Sequence, residues 1–508
     1  MKVSTLIEGV DILEAKGDTL LDVSALCYDS RLCKGGSLFV AVSGLTSDGH
    51  EFIDEAVQKG ATCVVYEKGI ISVEGVTSVK VRDSRLAMGQ LGRNFFCNPS
   101  GDMFLIGVTG TNGKTTVTYI LESVLREAGL AVGVIGTINY RYGGQVFQSL
   151  NTTPDSIDLQ RILREMADAG ITHVIMEVSS HAIDLKRVDS CEFDMGIFTN
   201  LTSEHLDYHG SIENYFLVKR RFFRELMNGG KKIINGDDPW GMRIIEEEGP
   251  GAVTFGIDTT EGYDVVAVDF ALSMEGIRAK IKTSNEEFYV TSSMIGKYNL
   301  ANILTSIAAA FSMNIRKEHI TAGIEKVKNI PGRLERVNDP GEPSVFVDYA
   351  HTEDALRRTL ENLADLKEGK IITVFGCGGD RDRTKRVPMG KIAIKLSDVA
   401  IITSDNPRTE DPLVIIDEIM RGIRDNTVES YNPTQVYRTQ NGREFAAIAD
   451  RREAIEKAVS MADPSDIVLI AGKGHEDYQI LGTRRIPFDD RIVAREALAR
   501  RRAGRKGL

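Results

Sequence analysis

The stretch "GVTGTNGKTT", residues 107–116, follows the apolar run "MFLI" (103–106) and precedes the helical pattern "VTYILESVLREAG" (117–129). A strand, a glycine-rich loop and a helix in that order suit a phosphate. Glycines let backbone N–H groups curl around phosphate oxygens, and the helix N-terminus adds its positive end. Gly110, Thr111, Asn112, Gly113, Lys114, Thr115 and Thr116 form the candidate loop, with Lys114 as a point charge for the terminal phosphates and the Thr115 hydroxyl for Mg²⁺. The spacing departs from GxxxxGK[ST], because the position six before Lys114 is Val108, with Gly107 and Gly110 around it. A ligand-free turn would need neither the lysine nor the threonine pair.

Outward from this loop, apolar strand runs "AVGVIGT" (131–137) and "THVIMEVSS" (172–180) alternate with helical patterns, which predicts a parallel sheet covered by helices. Before it, "SLFVAV" (37–42) and "ATCVVYE" (61–67) flank the amphipathic pattern "HEFIDEAVQKG", and the turn signal "CNPSGD" (97–102) closes that part. After the Pro- and Gly-rich "NIPGRLERVNDPGEPS" (329–344), alternation restarts with "SVFVDYAH", "KIITVFGCGG", "DVAIITSDNP" and "DIVLIAGKG". The expectation is an α/β chain of three domains, 1–99, 100–331 and 332–508. Ligands of open α/β sheets bind at the carboxyl ends of the strands, where the polar motifs lie.

The 508 residues are too many for one core. A net charge of −11 argues against a nucleic-acid binder, and only the tail "REALARRRAGRKGL" (495–508) is strongly basic, as a helix running into a solvated end. The six cysteines lack CxxC spacing and read as reduced thiols. The start has no signal-peptide core, and no run of about 18 apolar residues occurs, so a cytoplasmic protein with no membrane span is expected.

Two more strand ends carry polar groups. In "THVIMEVSSHAIDLKRV" (172–188), Glu177 directly follows apolar residues, a costly position unless a cation meets it. Mg²⁺ or a lysine would serve. "FTNLTSEHLDYHGSIENYFLVKRRFF" (198–223) brings His205, His209 and Lys219, although isolated histidines are ordinarily surface or core residues. "TSDNPRTEDP" (403–412) is ordinary turn chemistry, apart from its arginine.

"TGTNGKTT", "EVSSH", "TNLTSEHLDYH", "GKYNLANILTSIAAA", "PGRLERV", "VDYAHTEDAL" and "GKGHEDYQ", in that order and over nearly the whole chain, resemble the Mur ligase family. The resemblance implies an ATP-dependent amide ligase of peptidoglycan precursor synthesis with a UDP-binding domain, a central ATPase domain and a Rossmann-like carboxy-terminal domain. The D-glutamate carboxylate of UDP-MurNAc-L-Ala-D-Glu is phosphorylated, and an amine attacks the acyl phosphate. Two unit charges about 4 Å apart repel by roughly 4 kcal/mol at an effective dielectric near 20, so cations must offset the meeting of two anions. By similarity, Lys114 and Mg²⁺ do so, with Thr115, Glu177, His205 and a carbamylated Lys219 (N6-carboxylysine) as the metal shell. Carbamylation turns a cation that Mg²⁺ would repel into an anionic group.

The resemblance further assigns the nucleotide to Asn299, Asn302, Arg333, Asp348, Tyr349 and His351, with Arg333 coupling domain closure to ATP. It assigns the UDP-sugar peptide to Ser30, Arg31, Thr46, Ser47, Asp48, Gly49, His50, Thr152, Thr153, Ser179 and Arg187. Glu353 stands where many relatives have proline, and Leu185 where some have glutamine. For the amine, "GGDRD", "DNPR" and "GKGHED" resemble relatives that add meso-diaminopimelate, through Arg381, Asp405, Asn406, Pro407, Arg408, Gly472 and Glu476. Its far end carries a carboxylate and an ammonium, whereas lysine has the ammonium alone. Arg408 and Arg381 can fork onto the carboxylate, while Glu476 holds the ammonium. An unpaired buried charge costs about 3 to 5 kcal/mol, or roughly two to three and a half decades of affinity. A monomer acting on small molecules is expected. L-lysine addition, folylpolyglutamate synthesis and a non-ligating nucleotide-dependent scaffold are the rival readings.

Overall fold

The computed structural model describes all residues except 45–46, 70–73, 228, 250, 258–261, 340, 424–435, 440 and 506–508. Two compact units divide the chain: Met1–Leu201 with Glu213–Phe255 and Ala308–His319, and Thr202–Ile212 with Gly256–Ile307 and Ile320–Leu508.

The first unit opens with a five-stranded sheet in the order Ile12–Lys16, Thr77–Val81, Ala61–Tyr66, Ser37–Val40, Ala25–Cys27. Only the Ile12–Lys16 edge is antiparallel. One expectation fails here. Cys27 and Cys33 are joined as a disulfide across the short turn Ser30–Leu32, while Cys63, Cys97, Cys191 and Cys377 stay free. The turn brings the two thiols together, a proximity that CxxC spacing rules do not address.

A parallel sheet follows in the order Val132–Ile135, His173–Glu177, Phe104–Thr109, Met195–Phe198, Lys231–Asn235, Ala252–Gly256. The first of these strands in the chain, Phe104–Thr109, lies centrally, with later strands added on both sides. Its carboxyl end is thus a topological switch point, where open α/β sheets take ligands. Gly107 permits this packing, since a Cβ there would stand 2.4 Å from Phe222 Cζ and 2.9 Å from Phe193. Phe222 begins a π-helical turn, Phe222–Leu226, that continues the helix Ile212–Arg221. Such turns widen a helix locally and recur at functional sites.

In the second unit, Val265–Ser273, Gly276–Thr283 and Glu287–Ser292 form antiparallel ribbons. Its seven-stranded sheet runs Glu335–Arg336, Ser344–Asp348, Ile467–Ala471, Ile371–Phe375, Val399–Ile402, Glu444–Ala447, Tyr437–Arg438, with the inner five strands parallel. Almost every residue of Ser344–Asp348, Ile371–Phe375, Val399–Ile402 and Ile467–Ala471 is buried, as strands covered on both faces require. The register pairs Asp348 with Ala471 and Phe375 with Ile402, which sets their polar extensions in one row. "GKGHED" is a turn leading into the hairpin strand Tyr478–Leu481.

Candidate active site

The loop after Phe104–Thr109 closes on its own lysine. Lys114 Nζ donates to Gly110 O at 3.0 Å and Thr111 O at 2.8 Å, at the start of the helix Lys114–Glu127. Gly110 (φ 143°) and Gly113 (φ 89°) adopt conformations that side chains disfavour. A Cβ on Gly110 would also meet Thr199 Oγ1 at 2.0 Å. Two residues without a sequence-assigned role pin the loop: Thr199 Oγ1 donates to Asn112 O (2.6 Å), and Asn200 bonds Asn112 N (3.0 Å) and O (3.1 Å).

Glu177 ends its strand 1% exposed. Thr115 Oγ1 donates to its Oε1 at 2.9 Å, Thr137 N to Oε1 at 3.0 Å, and Thr137 Oγ1 to Oε2 at 2.9 Å. Thr137 was not a candidate from sequence, though it ends the quoted "AVGVIGT". It also meets Thr152 Oγ1 at 3.0 Å. Thr153 Oγ1 donates to Glu177 O at 2.8 Å and accepts from Ser179 N at 3.1 Å. Arg187 donates to Thr153 O (2.9 Å) and pairs with Asp155 (2.9 Å), whose carboxyl burial pushes up. Thr152, Thr153, Ser179 and Arg187 are therefore one network with Glu177.

Lys219, 1% exposed, donates to the same Gly110 O at 2.9 Å and to Thr109 Oγ1 at 3.4 Å, above the Tyr215 ring. Tyr215 OH accepts from Thr111 Oγ1 at 3.2 Å. A threonine hydroxyl and a carboxylate at a phosphate loop are hard oxygen donors, the set that suits Mg²⁺ alongside substrate phosphates. Among the described residues, no three His, Cys, Asp or Glu side chains gather as a metal cluster. His205 belongs to the second unit, in left-handed backbone (φ 56°) before the short helix Leu206–His209.

In the turn Ser30–Leu32 beside the first sheet, Ser30 is buried and donates to Glu55 Oε2 at 2.8 Å, while Arg31 is exposed and paired with Asp29. Ser47 is exposed, and Thr46 lies outside the described residues. His50 Nδ1 meets Asp48 Oδ1 at 2.6 Å, and its Nε2 accepts from Glu67 N at 3.1 Å, so both side chains serve the fold.

In the second unit, Asn299 and Asn302 are buried within the helix Lys297–Ser312. Asn299 donates to Ile295 O (2.9 Å) and Asn302 to Asn299 Oδ1 (3.2 Å). Arg333 lies over the Tyr349 ring at 4.8 Å. Asp348 anchors that linker by accepting from Leu334 N at 2.7 Å. Burial pushes its carboxyl up, against the Arg333 charge. His351 Nδ1 meets Tyr349 O at 2.9 Å, and burial pushes its imidazole down. Burial, with Arg333 and Arg491, pushes His475 down to about 4.

The "DNPR" turn is built into three strand ends. Arg408 is left-handed (φ 53°), its N donates to Ile480 O at 3.1 Å, and its Nη1 reaches Gly379 O at 2.7 Å. Gly379 N donates to Asn406 O at 2.9 Å, and a Cβ on Gly379 would lie 1.9 Å from Pro407 O. Arg381 stands exposed on the adjoining loop. Asn406 Nδ2 donates to Glu476 Oε2 at 2.9 Å. Gly472 (φ 116°) leaves room for Asp405, whose Oδ2 a Cβ would approach to 2.9 Å.

Sequence reasoning missed two groups here. Lys473, fully buried, donates to Glu476 Oε2 (3.0 Å) and Asn406 Oδ1 (3.1 Å). Its flanking glycines and a glutamate three residues on were the available signal. Arg386, also fully buried, donates to Glu410 (3.0 and 3.1 Å) and Glu418 (2.7 Å), binding the "GGDRD" loop to the turn. Behind both, Arg451 and Asp490 form a fully buried pair (2.8 and 2.7 Å), and Arg451 also donates to Ala471 O (3.0 Å) and Ser404 O (3.5 Å).

A glycine-rich loop braced on a carboxylate and a second, polar cradle at parallel strand ends define an α/β protein of the phosphate-binding class. Three family models match in succession: "Mur ligase family, catalytic domain" over 22–96, "Mur ligase middle domain" over 108–310 and "Mur ligase, glutamate ligase domain" over 332–474. The chain belongs to the Mur ligase family, with its three-domain α/β fold. Relatives named UDP-N-acetylmuramoyl-L-alanyl-D-glutamate--2,6-diaminopimelate ligase include that of Geobacter metallireducens, 44% identical over 97% of each chain. That of Geobacter sulfurreducens is 42% identical over 100% of each. A solved ligase of the same name is 29% identical with TM-score 0.68, covering 99% of each chain. MurF from Acinetobacter baumannii, 19% identical with TM-score 0.64 over 92% of this chain and 95% of its own, shares the fold.

Proposed function

We propose that this Mur ligase joins meso-diaminopimelate to UDP-MurNAc-L-Ala-D-Glu at the expense of ATP, in the cytoplasm, with functional domains at 1–99, 100–331 and 332–508. The observation that carries it is the combination, in one chain, of the Lys114–Thr115 phosphate loop braced on Glu177 with the Asp405, Asn406, Arg408 and Glu476 cradle. Relatives of this name matching the chain from end to end support the same amine and acceptor.

In this reading Gly110, Thr111, Asn112, Gly113, Lys114, Thr115 and Thr116 receive the ATP phosphates, and Lys114 leaves its loop carbonyls for them. Thr115 and Glu177, with His205, would hold Mg²⁺, which supplies charge neutralisation as phosphate and carboxylate approach. Thr137 and Thr115 orient Glu177 through three hydrogen bonds. Thr152, Thr153, Ser179 and Arg187 face the peptide from the same network, and Ser30, Thr46 and Ser47 serve the UDP-sugar. Asn299, Arg333, Asp348 and His351 serve the nucleotide. Arg408 and Arg381 take the distal carboxylate of the amine, while Asp405 and Glu476 take its distal ammonium. The α-amine then attacks the acyl phosphate carbon, forming the amide C–N bond as the C–O bond to inorganic phosphate breaks and the amine gives up its proton.

The test is an amine panel of meso-diaminopimelate, L-lysine and L-ornithine with UDP-MurNAc-L-Ala-D-Glu and ATP, for wild type and Arg408→Ala. Wild type should form amide with meso-diaminopimelate, and Arg408→Ala should lose most of that preference. Equal use of lysine by wild type would refute the assignment.

A further inference from the structure

We infer that Lys473 sets the net charge of the amino-acid cradle and is thereby a specificity-determining residue, a step that rests on the function proposed above. Lys473 is fully buried, so it acts through its neighbours. Its ammonium lies 3.0 Å from Glu476 Oε2, 3.1 Å from Asn406 Oδ1 and 3.6 Å from Asp405 Oδ1, and 5.4 Å from the Tyr478 ring centre. Asp405 Oδ1 is buried and accepts no hydrogen bond among the described residues; the Lys473 ammonium is its ion-pair partner, with the Arg451 charge acting on it from further away.

The turn itself does not depend on that ammonium. Ile480 N donates to Asn406 Oδ1 at 3.0 Å, Gln479 Nε2 to Asp405 O at 2.6 Å, and Arg408 N to Ile480 O at 3.1 Å. What Lys473 adds is charge. Asp405 and Glu476 are negative, Lys473 and Arg408 positive, the Arg451 charge behind them is balanced by Asp490, and at the exposed rim Asp380 and Arg381 are opposite in sign. The cradle is neutral, which matches the zwitterionic far end of meso-diaminopimelate. Without Lys473 it would be anionic and match a lone ammonium, the far end of lysine. Charge mismatch in a partly desolvated pocket is costly because the local dielectric is low.

The experiment measures kcat/KM for L-lysine relative to meso-diaminopimelate, with UDP-MurNAc-L-Ala-D-Glu and ATP saturating. Lys473→Gln should raise this ratio by about tenfold or more. The charge-compensated D405N/K473Q enzyme should return it toward the wild-type value, which a purely structural role for Lys473 would not do. An unchanged ratio in K473Q, or a double variant no closer to wild type than K473Q, overturns the inference. Should K473Q fail to fold by circular dichroism, Asp405→Asn decides: a lowered ratio supports the charge role, and an unchanged or raised ratio overturns it. A wild-type enzyme that ligates neither amine, or an Arg408→Ala enzyme with the wild-type ratio, defeats the underlying functional reading instead.

Discussion

Lys114 and Lys219 share one acceptor: both ammonium groups donate to the Gly110 carbonyl, at 3.0 and 2.9 Å. Two like charges on one buried oxygen repel, and either a phosphate or the loss of one charge relieves them. Carbamylation of Lys219, which the resemblance implies, would do the second and would supply an anion for Mg²⁺. Lys219→Ala should therefore be nearly inactive and recover ligation when a short carboxylic acid is added. Full activity of Lys219→Ala without rescue reagent would exclude the role.

Glu177 receives three hydrogen bonds and sits beside the loop proposed to take the phosphates. Glu177→Gln keeps the volume but loses the charge, and an amide nitrogen would face the Thr137 hydroxyl or Thr115. ADP release with all substrates present should fall by about a hundredfold or more. Thr137→Ala, which only loosens the carboxylate, should fall by about tenfold. Similar losses in the two variants would count against a direct role for the carboxylate.

Hydrogen bonding from Arg386 holds the Glu410 carboxyl at about 2, below its ordinary 4.5. A depressed carboxyl stabilises the folded state above its unfolded value, and that contribution fades as pH falls from about 4.5 through 2. Thermal unfolding at pH 6 and pH 3 should show wild type well above Glu410→Gln at pH 6. At pH 3 the gap should narrow. A gap independent of pH would mean the pair contributes through packing alone.

Titration of thiols in denaturant without reductant should give four reactive groups per chain, from Cys63, Cys97, Cys191 and Cys377, and six after reduction. Six without reduction would show that Cys27 and Cys33 are not bonded in solution.

The parallel strands were legible because each is a short apolar run between turn signals, and the phosphate loop because its glycines, Lys114 and Thr115 are contiguous. Asp405 to Arg408 were legible for the same reason. Thr137, Asn200 and Arg386 were not, since each meets its partner across a sheet or from a distant helix, and nothing local distinguishes them from solvated neighbours. Lys473 carried a local signal in its flanking glycines and Glu476, but its enclosure between Asp405, Asn406 and Glu476 depends on the distant turn at 405–406, which the local sequence does not show. The cysteine pair was missed because a turn, not a spacing rule, brings it together.

The Arg451–Asp490 pair makes the last helix of the chain a counter-ion for the floor of the amine cradle. Arg451 holds the carbonyls of Ser404 and Ala471, each one residue before a cradle group, and its charge is balanced from Asp490, the first residue of Asp490–Arg505. Removing one partner of such a pair costs about 3 to 5 kcal/mol. A chain cut before Asp490 would thus lose the geometry of Asp405 and Gly472 without losing any residue that lines the proposed cradle, which makes the helix Asp490–Arg505 part of what holds that proposed site in shape.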